Sequence, residues 1–441
     1  MARHLALGNA GYRSWGCIPK EPPRVRRMRW RDERLPRAAG PLLPFGNGRS
    51  YGDSCLNYGG LLIDTRGLNR FISFDTVQGV LRCEAGVLLS DILERVVPHG
   101  WFLPVTPGTQ FVTVGGAIAN DVHGKNHHRS GSFGHHIRRF ELLRSDGGRL
   151  VCSPAENSDW FAATIGGLGL TGLILWAEIT LKAVQGPLIE AQTIRFTRLQ
   201  EFFELSRESH DRYEYTVAWI DGFASGKALG RGLFMRGNHA PGAAHPARGR
   251  QRKVGIPLTP PFSLVQPPLV RAFNSLYYHK PLWGGRTGHY EPFFYPLDGI
   301  GQWNRLFGRR GFFQYQCVLP LDAGFEATAE LLRRIARAGA ASFLSVLKVF
   351  GDQPPAGWLS FPRPGVTLAM DLPNRGQATL KLLEELDEIT SAAGGAVYPA
   401  KDGRMSSAAF HRGFPNWPRL EKYRDPVFCS AFWQRVTERL A

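Results

Sequence analysis

Between Pro107 and His136 the chain reads Pro-Gly-Thr-Gln-Phe-Val-Thr-Val-Gly-Gly-Ala-Ile-Ala-Asn-Asp-Val-His-Gly-Lys-Asn-His-His-Arg-Ser-Gly-Ser-Phe-Gly-His-His. Six glycines and five histidines in these thirty residues are too many turn-forming and polar groups for a plain core segment. Gly115 and Gly116 have no Cβ, so main chain there can lie against a bulky group. Thr113, Asn120, Asp121, His123, Lys125 and Asn126 place polar groups around the same point. The pattern is that of a segment wrapped round a cofactor.

With 441 residues the chain has room for two or three domains and large cores. A hydrophobic content of 43% with 21% charged residues is that of a folded protein and excludes disorder of the whole chain. The six cysteines are scattered without a CxxC pair, which reads as free thiols in a reducing compartment. The opening Met-Ala-Arg-His-Leu-Ala-Leu-Gly-Asn lacks the long apolar run of a signal peptide, and Leu168–Leu181 is too short and polar to span a bilayer. A cytoplasmic protein is expected, with a peripheral place at the inner face of the plasma membrane as an option. The net charge of +17 favours an anionic partner, either anionic lipid or a phosphorylated substrate. Nucleic acid is not expected, because no zinc-finger, RNP-like or helix-turn-helix signature accompanies the charge.

Short strands are expected at Arg24–Trp30, from Pro41 into a glycine turn, at Leu61–Asp64, Phe71–Asp75 and Gly79–Gly86. A helix over about Asp91–Val97 follows, with Ser90 as N-cap. A hairpin spans 136–152, a short helix Asp159–Ala163, and a strand Leu173–Thr180. Many short strands with few helices make the class α+β. Composition changes near residue 190. Beyond it come a helix at 197–210, an aromatic-rich strand at Arg212–Asp221 and a Gly/Ala/Arg/Pro-rich segment at 226–256 that reads as including a mobile loop. Pro257–Pro268 is too rich in proline for a central strand. Strands at Phe312–Pro320, Phe343–Phe350 and Gly365–Leu372, with helices at about Ala327–Ala340 and Ala378–Ala392, suggest one sheet covered by helices. Residues 401–441 return to the style of the first part.

Gly46-Asn-Gly-Arg-Ser50 is a run of backbone donors beside a strand, suited either to a tight turn or to cradling a diphosphate. It has neither the GKS/T of a Walker loop nor the spacing of a dinucleotide fingerprint. Its coexistence with Gly115-Gly116 and Gly166-Gly167-Leu-Gly169 favours the phosphate reading. His127, His128, His135 and His136 could be ligands or surface residues; without H-x-H or HExxH, and with few acidic partners, no metal is expected. His123 is expected near a cofactor ring or hydrogen-bonded to main chain.

Gly46–Asp53, Val112–His128 and Gly166–Gly172, with Phe312–Gln316, Leu347–Gly351 and Ala400–Arg404, resemble the vanillyl-alcohol-oxidase-like (PCMH-type) FAD-dependent oxidoreductases over almost the whole chain. The resemblance implies a two-subdomain FAD-binding domain at residues 1–190, an α+β substrate cap at 191–398 and a return to the first domain at 399–441. Gly46, Asn47, Gly48, Arg49 and Ser50 would hold the diphosphate. Thr113, Gly115, Gly116, Asn120, His123, Gly124 and Asn126 would line the flavin, with Gly169 and Thr171 nearby. The glycine turn lacks the histidine to which many relatives attach the flavin, so FAD is expected to be bound non-covalently.

The implied chemistry is oxidation of a secondary alcohol to a ketone, with hydride passing to flavin N5. The substrate expected from the resemblance is a polyprenylphosphoryl-β-D-ribose-like sugar oxidised at its 2′-hydroxyl. The alternatives are a soluble sugar, alditol or aldonolactone, and a non-catalytic FAD-binding scaffold. Lys401 would take the hydroxyl proton as an amine or stabilise the alkoxide as an ammonium. Lys348 is a second cation, and Tyr51, Gln314 and Gln316 would orient sugar hydroxyls; the alternative is that the two glutamines do no more than share one face of a sheet. Two positions depart from the family pattern: Ala369 replaces a cysteine, and Thr367 an asparagine that lines the substrate site. The first should leave oxidation intact, and the second should bear on substrate shape. A quinone or other electron acceptor, and an NAD(P)H-dependent keto-sugar reductase, are the further partners the resemblance implies.

Overall fold

The computed structural model describes residues 11–17, 23–241, 254–282 and 284–437. Three sheets carry the architecture. Parallel strands Arg24–Arg27, Leu61–Asp64 and Leu42–Phe45 form the first. The second is antiparallel and five-stranded, built from Phe71–Asp75, Val80–Glu84, Leu173–Thr180, Ile137–Leu143 and Arg149–Cys152. The third has eight strands, in the order Arg286–His289, Leu188–Phe196, Gly232–His239, Tyr215–Ile220, Ser345–Phe350, Gly365–Pro373, Phe312–Leu319, Ala396–Val397.

The large sheet owes its two unlike faces to the period of two along each strand. Gln314 pairs with Asp371, Gln316 with Ala369, Ala369 with Val346 and Thr367 with Lys348, which puts a polar strip on one face. The alternate residues Tyr315, Cys317, Leu347, Leu368, Met370 and Leu372 are all buried on the other. Helix Leu321–Ala338 covers that second face with Leu331, Leu332 and Ile335, and helix Gln377–Ala392 with Leu382, Leu383 and Leu386. Each such side chain contributes about 1.5–3 kcal/mol on burial, so the apolar face anchors the sheet and leaves the polar strip available for a ligand.

Several expectations need correction. Helix Leu89–Val96 starts before Ser90, with Leu88 at the N-cap; the Asp91 carboxylate instead accepts from the Leu88 N–H at 3.4 Å. The segment 226–256, read as including a mobile loop and given no strand, contains strand Gly232–His239, in the middle of the large sheet between Leu188–Phe196 and Tyr215–Ile220. Its glycines misled the reading: Gly232 and Gly237 sit where a Cβ would press on the neighbouring strand's main chain. Residues 242–253 of that segment lie outside the described residues. The compositional change at 190 falls within strand Leu188–Phe196. No element was expected between 269 and 311, yet helix Pro267–His279 begins at two prolines, which suit the first turn because its N–H groups need no intrahelical partner.

The carboxyl-terminal segment packs against the first sheet. Leu42 bridges to Phe428, the Tyr51 N–H donates to the Ala400 carbonyl at 2.9 Å, and Arg435 from helix Ala431–Thr437 donates to both Asp53 (2.8 Å) and Asp402 (3.1 Å). The loop after Leu42–Phe45 and the Lys401 segment are thereby locked together.

Candidate active site

A cavity of about 1050 Å³ lies over the polar strip of the large sheet, at the top of the roughly 300–1,000 Å³ usual for small-molecule sites. Its floor holds Gln314, Gln316, Lys348, Thr367 and Ala369. Its other wall comes from Gly46–Tyr51, Thr106–Thr113 and the segment around Gly116–Lys125.

Gly46, Asn47, Arg49, Ser50, Thr113, Gly116, Asn120, His123 and Gly124 line the cavity, as do Tyr51 and Lys401. Gly48, Gly115, Asn126, Gly169 and Thr171 are not among the lining residues and act behind the wall. Gly48 makes the turn at φ +60°, and the Gly115 N–H donates to the Ala85 carbonyl. Asn126 Nδ2 donates to the Pro104 carbonyl at 2.8 Å. Gly169 turns at φ +75°, and Thr171 exchanges a hydroxyl bond of 2.9 Å with Thr164.

The wall is shaped to admit a large anionic group closely. Thr113 caps helix Val114–Ala119 by accepting from the Gly116 N–H at 3.2 Å. A Cβ on Gly46 would collide with the Thr113 hydroxyl, so any side chain there would displace that cap. Among the described residues, no main-chain acceptor pairs with the N–H groups of Asn47, Gly48, Arg49 or Ser50. The Arg49 guanidinium lies 4.0 Å from the centre of the Trp15 ring, and its buried Nε has no hydrogen-bond partner among the described residues. A half-buried guanidinium with an unpartnered Nε, beside main-chain donors that no described main-chain acceptor takes up, is a fit for a diphosphate.

The other basic side chains of the cavity are four lysines and an arginine. Lys125, Lys280, Arg286, Lys348 and Lys401 line it with Arg49, against Asp298. Burial brings Lys125 down to about 8 and Lys401 to about 7, and Asp371 opposes the fall at Lys401. Lys401 Nζ lies 3.9 Å from the centre of the Tyr51 ring. Burial, with the Asp371 charge beside it, holds the Tyr51 phenol well above its ordinary range.

Asp371 is the residue that sequence reasoning passed over. It is buried under the floor, where Gln314 Nε2 donates to its Oδ1 at 2.6 Å and its Oδ2 has no hydrogen-bond partner among the described residues. Burial raises it to about 7, against the hydrogen bond from Gln314 and the charge of Lys401. Its signal was a carboxylate at the third alternate position of a strand, after Thr367 and Ala369.

His123 sits at the centre of a second network. Its Nδ1 lies 2.9 Å from Lys348 Nζ and its Nε2 2.9 Å from Gln316 Nε2. Lys348 also donates to the Gly124 carbonyl at 2.7 Å, and Gln316 to the Thr367 hydroxyl at 3.3 Å. Burial and Lys125 hold Lys348 well below an ordinary amine, and burial with Lys348 holds His123 well below an ordinary imidazole. The neutral pair satisfies every contact: His123 Nδ1–H donates to the Lys348 nitrogen, and Nε2 accepts from Gln316. The other histidines of this segment, His127, His128, His135 and His136, all contact main chain. His128 Nε2 donates to the Tyr213 carbonyl (3.0 Å), His136 Nε2 to that of Ser130 (2.8 Å), and His127 Nδ1 accepts from the Gly351 N–H (3.2 Å).

The glycine-walled cleft, with an arginine, main-chain donors unpaired among the described residues and a polar sheet floor, fits a diphosphate-bearing cofactor; residues 34–153 match the family described as an FAD binding domain, and with the relatives below this makes the chain an FAD-dependent oxidoreductase acting on a CH–OH group. The chain is 38% identical over 411 residues to decaprenylphosphoryl-beta-D-ribose oxidase of Mycolicibacterium smegmatis, covering 89% of this chain and 88% of that one. It is 36% identical over 369 residues to an uncharacterized protein from the mprA 5′ region of Streptomyces coelicolor, covering 79% of this chain and 100% of that one. Human delta(24)-sterol reductase is 34% identical over 110 residues, 25% of this chain and 21% of its own. The chain belongs to the vanillyl-alcohol-oxidase-like (PCMH-type) FAD oxidoreductases, in the family of the decaprenylphosphoryl-beta-D-ribose oxidase. Among the described residues, no helix is long and apolar enough to cross a membrane.

Proposed function

We propose that the enzyme oxidises the 2′-hydroxyl of a polyprenylphosphoryl-β-D-ribose-like sugar to a ketone. The observation that carries this reading is the 38% identity over 89% of the chain to an oxidase of that substrate class. Arg49, Lys280 and Arg286 in the cavity lining support it, since a sugar phosphate brings its own negative charge.

Residues 1–190 and 399–441 form the FAD-binding part in this reading, and 191–398 the cap. FAD, when bound, supplies a two-electron acceptor for the hydride leaving the carbinol carbon. Gly46, Asn47, Arg49 and Ser50 hold its diphosphate, and Thr113, Gly116, Asn120, His123 and Gly124 line its ring system, non-covalently. Gly48, Gly115, Asn126, Gly169 and Thr171 keep that wall in shape.

Lys401, at about 7, accepts the hydroxyl proton as a neutral amine. Tyr51 and Gln314 orient the sugar, and Gln314 is itself held by Asp371. Lys348, His123 and Gln316 form a rigid neutral floor that accepts sugar hydroxyls without competing for the proton. Thr367, shorter than the asparagine of the family pattern, leaves more room beside Gln316. A quinone takes the electrons onward, and an NAD(P)H-dependent reductase consumes the keto sugar.

Anaerobic mixing of the flavin-loaded enzyme with a short-chain polyprenylphosphoryl ribose tests this: the flavin absorbance should bleach. Bleaching by a free pentose, an alditol or an aldonolactone and not by the phosphorylated lipid would overturn the substrate assignment. If no alcohol bleaches a flavin that is still photoreducible, the protein is a scaffold and not this enzyme.

A further inference from the structure

Leu258, Phe262, Leu264, Leu269, Phe273 and Leu276 all expose large apolar side chains, with Leu258 at 78% and Leu276 at 75%. They belong to one stretch of chain that ends in helix Pro267–His279. Leu269, Phe273 and Leu276 follow at steps of four and three, which gathers them on one stripe of that helix. The buried residues Val270, Asn274 and Tyr278 occupy a different stripe, so the helix already has its core contact without the exposed one. Val265 and Val270 pack with Phe307 and Phe312, which fixes the whole stretch to the body of the protein.

Two observations say what covers this surface. Phe273 is 41% exposed and also lines the cavity, and Tyr277, Lys280 and Leu282 just after it line the cavity too. The apolar surface therefore runs into the cavity mouth. From Gly222 to Tyr290 the sequence contains no Asp or Glu but ten Lys and Arg. Arg271 and Arg286 are exposed there, and Arg309 and Arg310 stand exposed just after the neighbouring helical turn Trp303–Phe307. An apolar stripe bordered by cations without carboxylates complements an anionic bilayer, where leucine and phenylalanine enter the acyl boundary and arginine stays at the phosphates.

We propose that helix Pro267–His279 and the preceding Leu258–Leu264 stretch dock the enzyme on an anionic lipid surface, with the cavity mouth turned to the membrane. The surface stands on its own exposure and charge; only the passage of a lipid-linked sugar through the mouth rests on the substrate reading above.

The test is flotation of the flavin-loaded full chain with vesicles of phosphatidylglycerol and phosphatidylcholine, beside vesicles of phosphatidylcholine alone. Binding is expected to the anionic vesicles and to weaken as salt rises from about 0.1 M to about 1 M. The double variant Leu269→Asp/Leu276→Asp changes only exposed positions outside the cavity lining, and its partition should fall at least about tenfold with flavin content unchanged. Its turnover of a short-chain, water-soluble substrate should stay as in the wild type. No binding to anionic vesicles, or equal binding by the double variant, overturns the proposal. So does light scattering that finds a wild-type dimer made monomeric by the two substitutions, because the surface then belongs to a second copy. Vesicle binding without oxidation of any ribose substrate would sink the substrate reading and leave this one standing.

Discussion

Replacing Asp371 with asparagine should shift the pH dependence of catalysis downward. Lys401 is drawn to about 7 by burial, and Asp371 is the group that holds it from falling further. An opposite charge at close range is worth about 1–3 pKa units. Asp371 itself lies at about 7, so near neutrality it carries that charge in roughly half the molecules, and its loss should lower Lys401 by about one unit, or about 1.4 kcal/mol. Asparagine keeps an oxygen for Gln314 Nε2, so the 2.6 Å contact need not be lost. The assay is kcat/KM for anaerobic flavin reduction from pH 5.5 to 9, which reports the free enzyme. If Lys401 acts as the neutral base, the wild-type rate rises through about 7 and the variant's rise is displaced about one unit to lower pH. If Lys401 acts as an ammonium, the limb falls with pH instead, and asparagine still moves it downward. A limb that stays in place, or moves up, refutes the coupling of Asp371 to Lys401.

Gly46→Ala should cut flavin occupancy sharply, since its Cβ meets the hydroxyl that caps Val114–Ala119; flavin-to-protein absorbance after refolding with excess FAD measures it. Thr113→Ala removes that cap and should cost about 1 kcal/mol by thermal melting, with weaker flavin retention. Acid precipitation should leave the flavin in the supernatant; a yellow pellet would contradict non-covalent binding. Stability should fall as pH drops below about 6.5, because His127 (about 3), His128 (about 4) and His239 (about 4) stay neutral in the fold while they protonate in the unfolded chain. Each contributes a loss of about 2 kcal/mol at pH 5, which levels off near pH 3 to 4; Asp371, raised to about 7, acts in the opposite sense and offsets part of it. Melting temperatures that are flat from pH 7 to 4.5 would count against these buried neutral histidines.

Elements with a clear period were legible before any coordinates. Leu173–Thr180 and Phe312–Leu319 alternate or run apolar between turn residues, and both strands form at those positions. Gly232–His239 was not legible, because its glycines serve neighbouring strands that only the folded sheet brings near. Helix Pro267–His279 was hidden for a different reason: its unpartnered apolar stripe and opening prolines blur the contrast between faces on which the reading depends.

The site divides along the same line. Gly46, Thr113 and Gly116 could be found because a close approach of backbone demands residues without Cβ or with a short capping hydroxyl, and that demand is written locally. Gln314 and Gln316 do share one face of a sheet, and that face is the cavity floor, so the plain reading holds and is compatible with the functional one. Asp371 could not be weighed from its own strand. A buried carboxylate has meaning only beside the charge that offsets it, and Lys401 arrives thirty positions later through a turn pinned by Tyr398 and Arg435. Burying an amine without a partner costs several kcal/mol and empties it of its proton, whereas burying it with a carboxylate that is itself half-ionised leaves both groups titrating near neutrality. That balance belongs to the pair and to neither residue alone, and it is what would let Lys401 serve as the proton acceptor proposed above near neutrality.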